Sequence, residues 1–178
     1  MRIIGGYLKG SRLYAPNGTD IRPTADRVKE SVFNILGSIK DFKILDLYAG
    51  TGNLAFESLS RDAGEAVLID CSKNAADVIR KNAGKLDVSD KIKVINAPVL
   101  PALSTLMGRQ FDIIFADPPY NKDPSEIVEV IGKIRDLSLL SKEGIMVLEF
   151  SARKKMEQKF FRVEDMRKYG DTEVYFLR

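Results

Sequence analysis

The chain has no histidine, no tryptophan and a single cysteine among its 178 residues. Without histidine, Ser-His-Asp and Cys-His catalysis are excluded, as are the usual zinc sites. Cys71 alone cannot form an internal disulfide, which fits a reducing compartment, and a cytoplasmic location is expected. No apolar run approaches membrane-spanning length and none follows the first residues, so neither a membrane anchor nor a signal peptide is expected. Chemistry must therefore run on carboxylates, lysines, tyrosines, backbone dipoles or an organic cofactor, with no metal expected.

What is present is the composition of a soluble globular protein, 44% hydrophobic and 30% charged. Its length fits one domain, residues 1–178, with 1–20 a β-hairpin extension and 21–178 the core. The net charge of +3 is unevenly placed. Residues 1–30 and 153–178 each carry a net +3 and the segment between them −3. Basic ends around an acidic middle suit a nucleic acid gripped by the ends, or simply two solvated termini.

Along the chain, Arg2–Ile4 and Arg12–Tyr14 read as a small hairpin turning through Gly5-Gly6 and Gly10. Arg22-Pro23-Thr24 opens a helix with Thr24 as its cap, and Val28, Val32, Ile35, Leu36 and Ile39 follow at helical spacing. Lys29 reads as part of that helix's solvated face, while Arg22 and Arg27 are equally candidates for a nucleic-acid contact. Strands are then expected at 43–48, 65–70, 91–96, 111–116 and 145–150. Helices are expected at about 51–62 (closed by Gly64), 72–86, 102–107 and 123–136. Such alternation with short connections predicts an α/β fold with a doubly wound, mostly parallel sheet. Only Tyr169-Gly170-Asp171 separates the last two strands, 161–166 and 172–177, so these must pair antiparallel.

Asp117-Pro118-Pro119-Tyr120 ends the apolar run Phe111–Ala116. The prolines stop the ladder and Pro118 holds Asp117 extended, placing its carboxylate at the strand's carboxyl end, where open α/β sheets bind ligands. A fixed carboxylate, unpaired carbonyls and one aromatic face suit an amine-bearing nucleobase. Upstream, Asp46-Leu47-Tyr48-Ala49-Gly50-Thr51-Gly52 joins a strand to a helix, and its glycines let a ligand lie against the backbone. Asp70, at the end of the next strand, stands where an acidic side chain accepts bonds from ribose hydroxyls. The loop also satisfies the dinucleotide fingerprint with Ala55 in the third slot. Asp46 separates the two readings. A pyrophosphate ~5 Å from it would cost about 3 kcal/mol at an effective dielectric of 20. The ammonium group of S-adenosylmethionine would instead be welcome.

These motifs, in this order, resemble an S-adenosylmethionine-dependent amino-methyltransferase. Arg2-Ile3-Ile4 with Lys9-Gly10, Arg22-Pro23-Thr24 with Asp26–Glu30, and Tyr169–Thr172 resemble the RsmD family, which methylates a guanine N2 in bacterial 16S ribosomal RNA. The resemblance implies a Rossmann-like class I methyltransferase fold with a seven-stranded sheet, and S-adenosylmethionine as cofactor. It implies a cofactor site of Asp46, Tyr48, Gly50, Gly52, Asp70, Cys71, Asn96 and Ala97, and a catalytic turn of Asp117, Pro118, Pro119 and Tyr120. Arg2, Lys9, Arg12, Arg22 and Arg27 are the candidate RNA contacts, and the partner is 16S RNA or an assembling small subunit met by a monomer. Two departures stand out. Pro98 fills a slot that is acidic in the family, leaving adenine to backbone, Asn96 or apolar neighbours. Glu149-Phe150-Ser151 lacks the family's histidine. A DNA adenine-N6 methyltransferase and a non-catalytic RNA-binding assembly factor are the alternatives.

Overall fold

Five of the apolar runs form parallel strands. They are β1 (Lys43–Leu47), β2 (Glu65–Asp70), β3 (Ile92–Asn96), β4 (Phe111–Ala116) and β5 (Leu140–Ser151). A C-terminal pair, β6 (Val163–Tyr169) and β7 (Thr172–Leu177), completes a sheet of order β3-β2-β1-β4-β5-β7-β6. Strand β7 inserts antiparallel between β5 and β6. The computed structural model describes residues 1–15, 23–119, 122–153 and 161–178. The outer strand β6, Val-Glu-Asp-Met-Arg-Lys-Tyr, is largely exposed and charged, which discourages further strands from pairing with it.

Helices cover both faces. On one lie α1 (Pro23–Leu36), α2 (Asn53–Ser60) and α3 (Lys73–Leu86). Their Val32, Phe33, Phe56, Leu59 and Ile79 pack on Ile44, Leu68, Ile113 and Phe115. On the other lie α4 (Val99–Ser104) and α5 (Pro124–Asp136), whose Leu103, Ile127, Val130 and Ile134 pack on Leu45, Leu47, Ile69 and Ile114. Central strands buried on both faces explain why β1 and β4 read as continuous apolar runs. The N-terminal segment closes on itself through the Arg2–Arg12 bridge and buries Ile3 and Leu13 in the first of these cores.

Several boundaries differ from the sequence reading, each for a local reason. Helix α4 begins at Val99 rather than 102, because prolines such as Pro98 and Pro101 are tolerated where no intrahelical N–H bond is needed. Helix α1 stops at Leu36, and Phe33 rather than Ile35 turns inward: Phe33 is buried and Ile35 exposed. Helix α2 runs only from Asn53 to Ser60, and Asp62, not Gly64, takes the left-handed conformation after it (φ 70°). Gly64 instead passes close to the Asp41 carbonyl. Strand β5 starts early because Leu140 pairs with Phe111 before a register shift, and β6 starts at Val163 rather than 161.

Lys29 is the largest departure. Far from being solvated, its ammonium pairs with Glu57 at 3.1 Å and donates to the Arg2 carbonyl (2.7 Å) and Asn53 Oδ1 (2.8 Å). Glu57 is fully buried and also accepts from the Ile4 N–H at 2.8 Å and from Arg61 at 2.9 Å. Burial lowers the Lys29 pKa, with Glu57 opposing that shift. The ion cluster ties the N-terminal segment to α1 and α2.

Candidate active site

The chain runs β1, β2, β3 outward in one direction and returns to β4 on the other side of β1. Sheet order therefore reverses between β1 and β4, and a crevice opens above their carboxyl ends. There the structure has a cleft of about 790 Å³ adjoining a smaller cavity of about 190 Å³, within the size range of small-molecule sites. Met1, Tyr48, Gly50, Asp117 and Glu149 line both.

Asp46 lies at the smaller cavity, buried, and its carboxylate accepts the Ala55 N–H at 3.1 Å. Gly52, at the N-cap position of α2, offers no side-chain cap, so Asp46 supplies one from the strand. Loss of hydration raises the Asp46 pKa well above the usual carboxylate range, against the Ala55 bond and with help from Asp117 and Asp70. A cation beside it would relieve that penalty. Tyr48, at the turn out of β1, has φ 59°, a conformation uncommon outside glycine, and burial pushes its phenol up to about 12.

Asp70 braces the loop from the neighbouring strand. One carboxylate oxygen accepts the Gly50 N–H and the other the Ser72 N–H, both at 2.8 Å. Each oxygen keeps a second lone pair for a ligand hydroxyl. Cys71 is exposed at the cleft edge. Gly52, Asn96 and Ala97 do not line the cleft. A Cβ on Gly52 would meet the Phe56 ring at 2.6 Å at φ +78°, so this glycine serves helix–strand packing. Asn96 spends its amide on the Asp70 carbonyl (2.9 Å), and Ala97 donates its N–H to the same atom (3.2 Å). In their place Pro98, Val99, Leu100 and Pro101 form an apolar wall, a surface for a flat ring and a match for the missing acidic residue.

On the far side stand Asp117, Pro118 and Pro119, with Lys122 and Glu126 joined in an ion pair (2.5 Å). Asp117 is open to solvent, yet protein surrounds it closely enough that lost hydration raises its pKa to about 6. Tyr120 and Arg22 lie outside the described residues. Arg2, Lys9, Arg12 and Arg27 are exposed, and Arg2 pairs with Asp26 at 3.2 Å. Beside Arg12, the Tyr14 ring sits under the Lys81 and Lys85 ammonium groups, at 4.0 and 4.7 Å. Of the three holders expected for adenine, the apolar neighbours line the cleft; sequence reasoning missed the Met1 contribution and Glu149. Glu149 was within reach, as an acidic residue at a strand's carboxyl end like Asp117. Among the described residues no acidic or cysteine cluster could hold a metal ion, and no helix is long and apolar enough to cross a membrane.

A family model described as "Conserved hypothetical protein 95" matches residues 1–178. The chain is 35% identical over 150 residues to ribosomal RNA small subunit methyltransferase D of Escherichia coli K12, covering 84% of this chain and 74% of that protein. The solved structure of the Escherichia coli protein yhhF superposes with TM-score 0.86 at 30% identity, over 99% of this chain and 96% of that one. A more distant structure complexed with SAH, at 14% identity and TM-score 0.73, shares the fold over 88% of this chain and 50% of its own. The sheet order and these likenesses make the architecture that of the class I methyltransferases. By the family model and by its likeness to the small-subunit enzyme, the chain belongs to the RsmD family.

Proposed function

We propose that this protein transfers a methyl group from S-adenosylmethionine to the exocyclic N2 of a guanine in 16S ribosomal RNA. The observation that carries the reading is the set of acidic side chains at two adjoining cavities, Asp70 in the larger, Asp46 in the smaller and Asp117 and Glu149 in both, facing an apolar wall. Such a field repels a phosphate-bearing dinucleotide and favours a ligand with cationic centres and an uncharged ring. The residues fit the cofactor: Asp70 for ribose hydroxyls, Pro98–Pro101 for adenine, and Asp46 with the loop backbone for the amino-acid end.

When bound, the cofactor supplies an electrophilic sulfonium methyl group, so no metal or protein nucleophile is needed. The protein's part is placement, and orientation of this kind is worth ~7–11 kcal/mol. The Asp117 carboxylate and the Pro118 carbonyl accept the two amine protons. They thereby favour a pyramidal nitrogen with a free lone pair and offset the positive charge that grows there. Asp117 or water then takes the surplus proton. Tyr120 is assigned to stacking on the base, worth about 1–3 kcal/mol against the cost of unstacking it.

The exposed Arg2, Lys9, Arg12 and Arg27 are proposed to grip the RNA backbone. The setting is the cytoplasm, with a monomer meeting RNA or an assembling subunit. The test is incubation of the purified protein with labelled S-adenosylmethionine and small subunits from a strain lacking this gene. Digestion and mass spectrometry are expected to give one labelled N2-methylguanosine. Label in duplex DNA, or in no RNA, would refute the reading.

A further inference from the structure

We propose that Glu149 selects guanine by accepting the N1–H of the target base, an inference resting on the methyl-transfer reading of the cleft. Ala116 of β4 pairs with Leu148 of β5, so Asp117 and Glu149 are the next residues on two adjacent strands of the same direction. Neighbouring strands lie ~4.8 Å apart, and paired positions send their side chains to the same face. Both residues accordingly line both cavities. Strand β5 continues through Ser151, and Glu149 is paired with Val174 of β7, one residue past the last β4–β5 pair, so its backbone is held from the β7 side.

Two carboxylates side by side match one feature of a guanine and not of an adenine. Guanine's pairing edge carries the N1–H beside the N2 amine, a row of donors. Adenine places a lone pair at N1 beside its amine, and a carboxylate facing that lone pair is repelled. Asp117 takes the amine to be methylated, and Glu149 takes the adjacent N1–H. An amine-methylating site needs only the first acceptor. The second adds discrimination, because a site built around a donor penalises a base that lacks it.

2-Aminopurine keeps the N2 amine but loses both the N1–H and the O6 carbonyl, so the N1 contact is read from how Glu149→Gln changes the preference between the two bases. Small subunits would be assembled with guanosine or 2-aminopurine at the nucleotide the wild type methylates. Wild type and Glu149→Gln would then be compared in kcat/KM, S-adenosylmethionine affinity and Tm. The wild type should prefer guanosine by roughly tenfold to a hundredfold, the worth of one charge-assisted hydrogen bond. Glu149→Gln should lose guanosine activity by a similar factor and gain on 2-aminopurine, since the new amide can donate to N1. Equal wild-type rates on both bases, or the same ratio in both proteins, would overturn the role of Glu149 while leaving methyl transfer standing. No transfer to guanosine by the wild type would instead overturn the methyl-transfer reading itself. Equal wild-type rates on the two bases overturn the role of Glu149 even if Glu149→Gln destabilises the fold.

Discussion

Asp117 must be ionised to accept the amine's protons, yet the cleft raises its pKa to about 6. At pH 5 the free enzyme then holds about a tenth of Asp117 as carboxylate, and at pH 7 about nine tenths. Because kcat/KM reports groups of the free enzyme, it should rise roughly tenfold between those pH values, approaching unit slope below them and levelling off above. Asp117→Asn should lower kcat/KM at least a hundredfold and abolish the rise. The same residue links to stability with a definite sign. Between the ordinary value of 3.8 and about 6 the folded state binds more protons than the unfolded one, so stability falls as pH rises through that window. Asp117→Asn removes the penalty and should melt above wild type at pH 8, the gap closing as pH falls toward 4. A flat wild-type profile from pH 5 to 8, or the same slope in the variant, would refute the assignment.

Other perturbations test the frame around the site. Among the described residues, Lys29→Ala leaves the fully buried Glu57 with Arg61 and the Ile4 N–H. It should cost about 3–5 kcal/mol in urea unfolding, whereas a solvated lysine would cost almost nothing. Gly6→Ala puts a Cβ 1.6 Å from the Ser60 carbonyl oxygen at φ +72°, so it should destabilise by more than ~1 kcal/mol. Since Met1 of the same segment lines the cleft, it should also weaken cofactor binding in calorimetry. Asp70→Ala removes the acceptor for the Gly50 and Ser72 N–H groups as well as the ribose contact. Its S-adenosylmethionine affinity should fall roughly tenfold to a hundredfold, and Asp70→Asn, which keeps one acceptor oxygen, should be milder.

Residue order alone was enough for the alternation of strands and helices, the antiparallel end of the sheet and three of the four carboxylates at the cleft. The reason is local: apolar period, proline and glycine act over a few residues, and Asp46, Asp70 and Asp117 each close or follow an apolar run. Boundaries were harder. Where Pro98 starts α4, or where β5 begins to pair with Phe111, depends on what lies alongside.

The tertiary structure decided which of those residues meet. Asp46 and Asp117 share a cavity only because β4 lies beside β1, and Glu149 joins them only because β5 lies beside β4. Lys29 belongs to a helix face that reads as polar, and it is inside because Glu57, Asn53 and the Arg2 carbonyl converge on it from two other segments. Burial of a charge depends on partners far away in the chain. Periodicity along one helix does not record them.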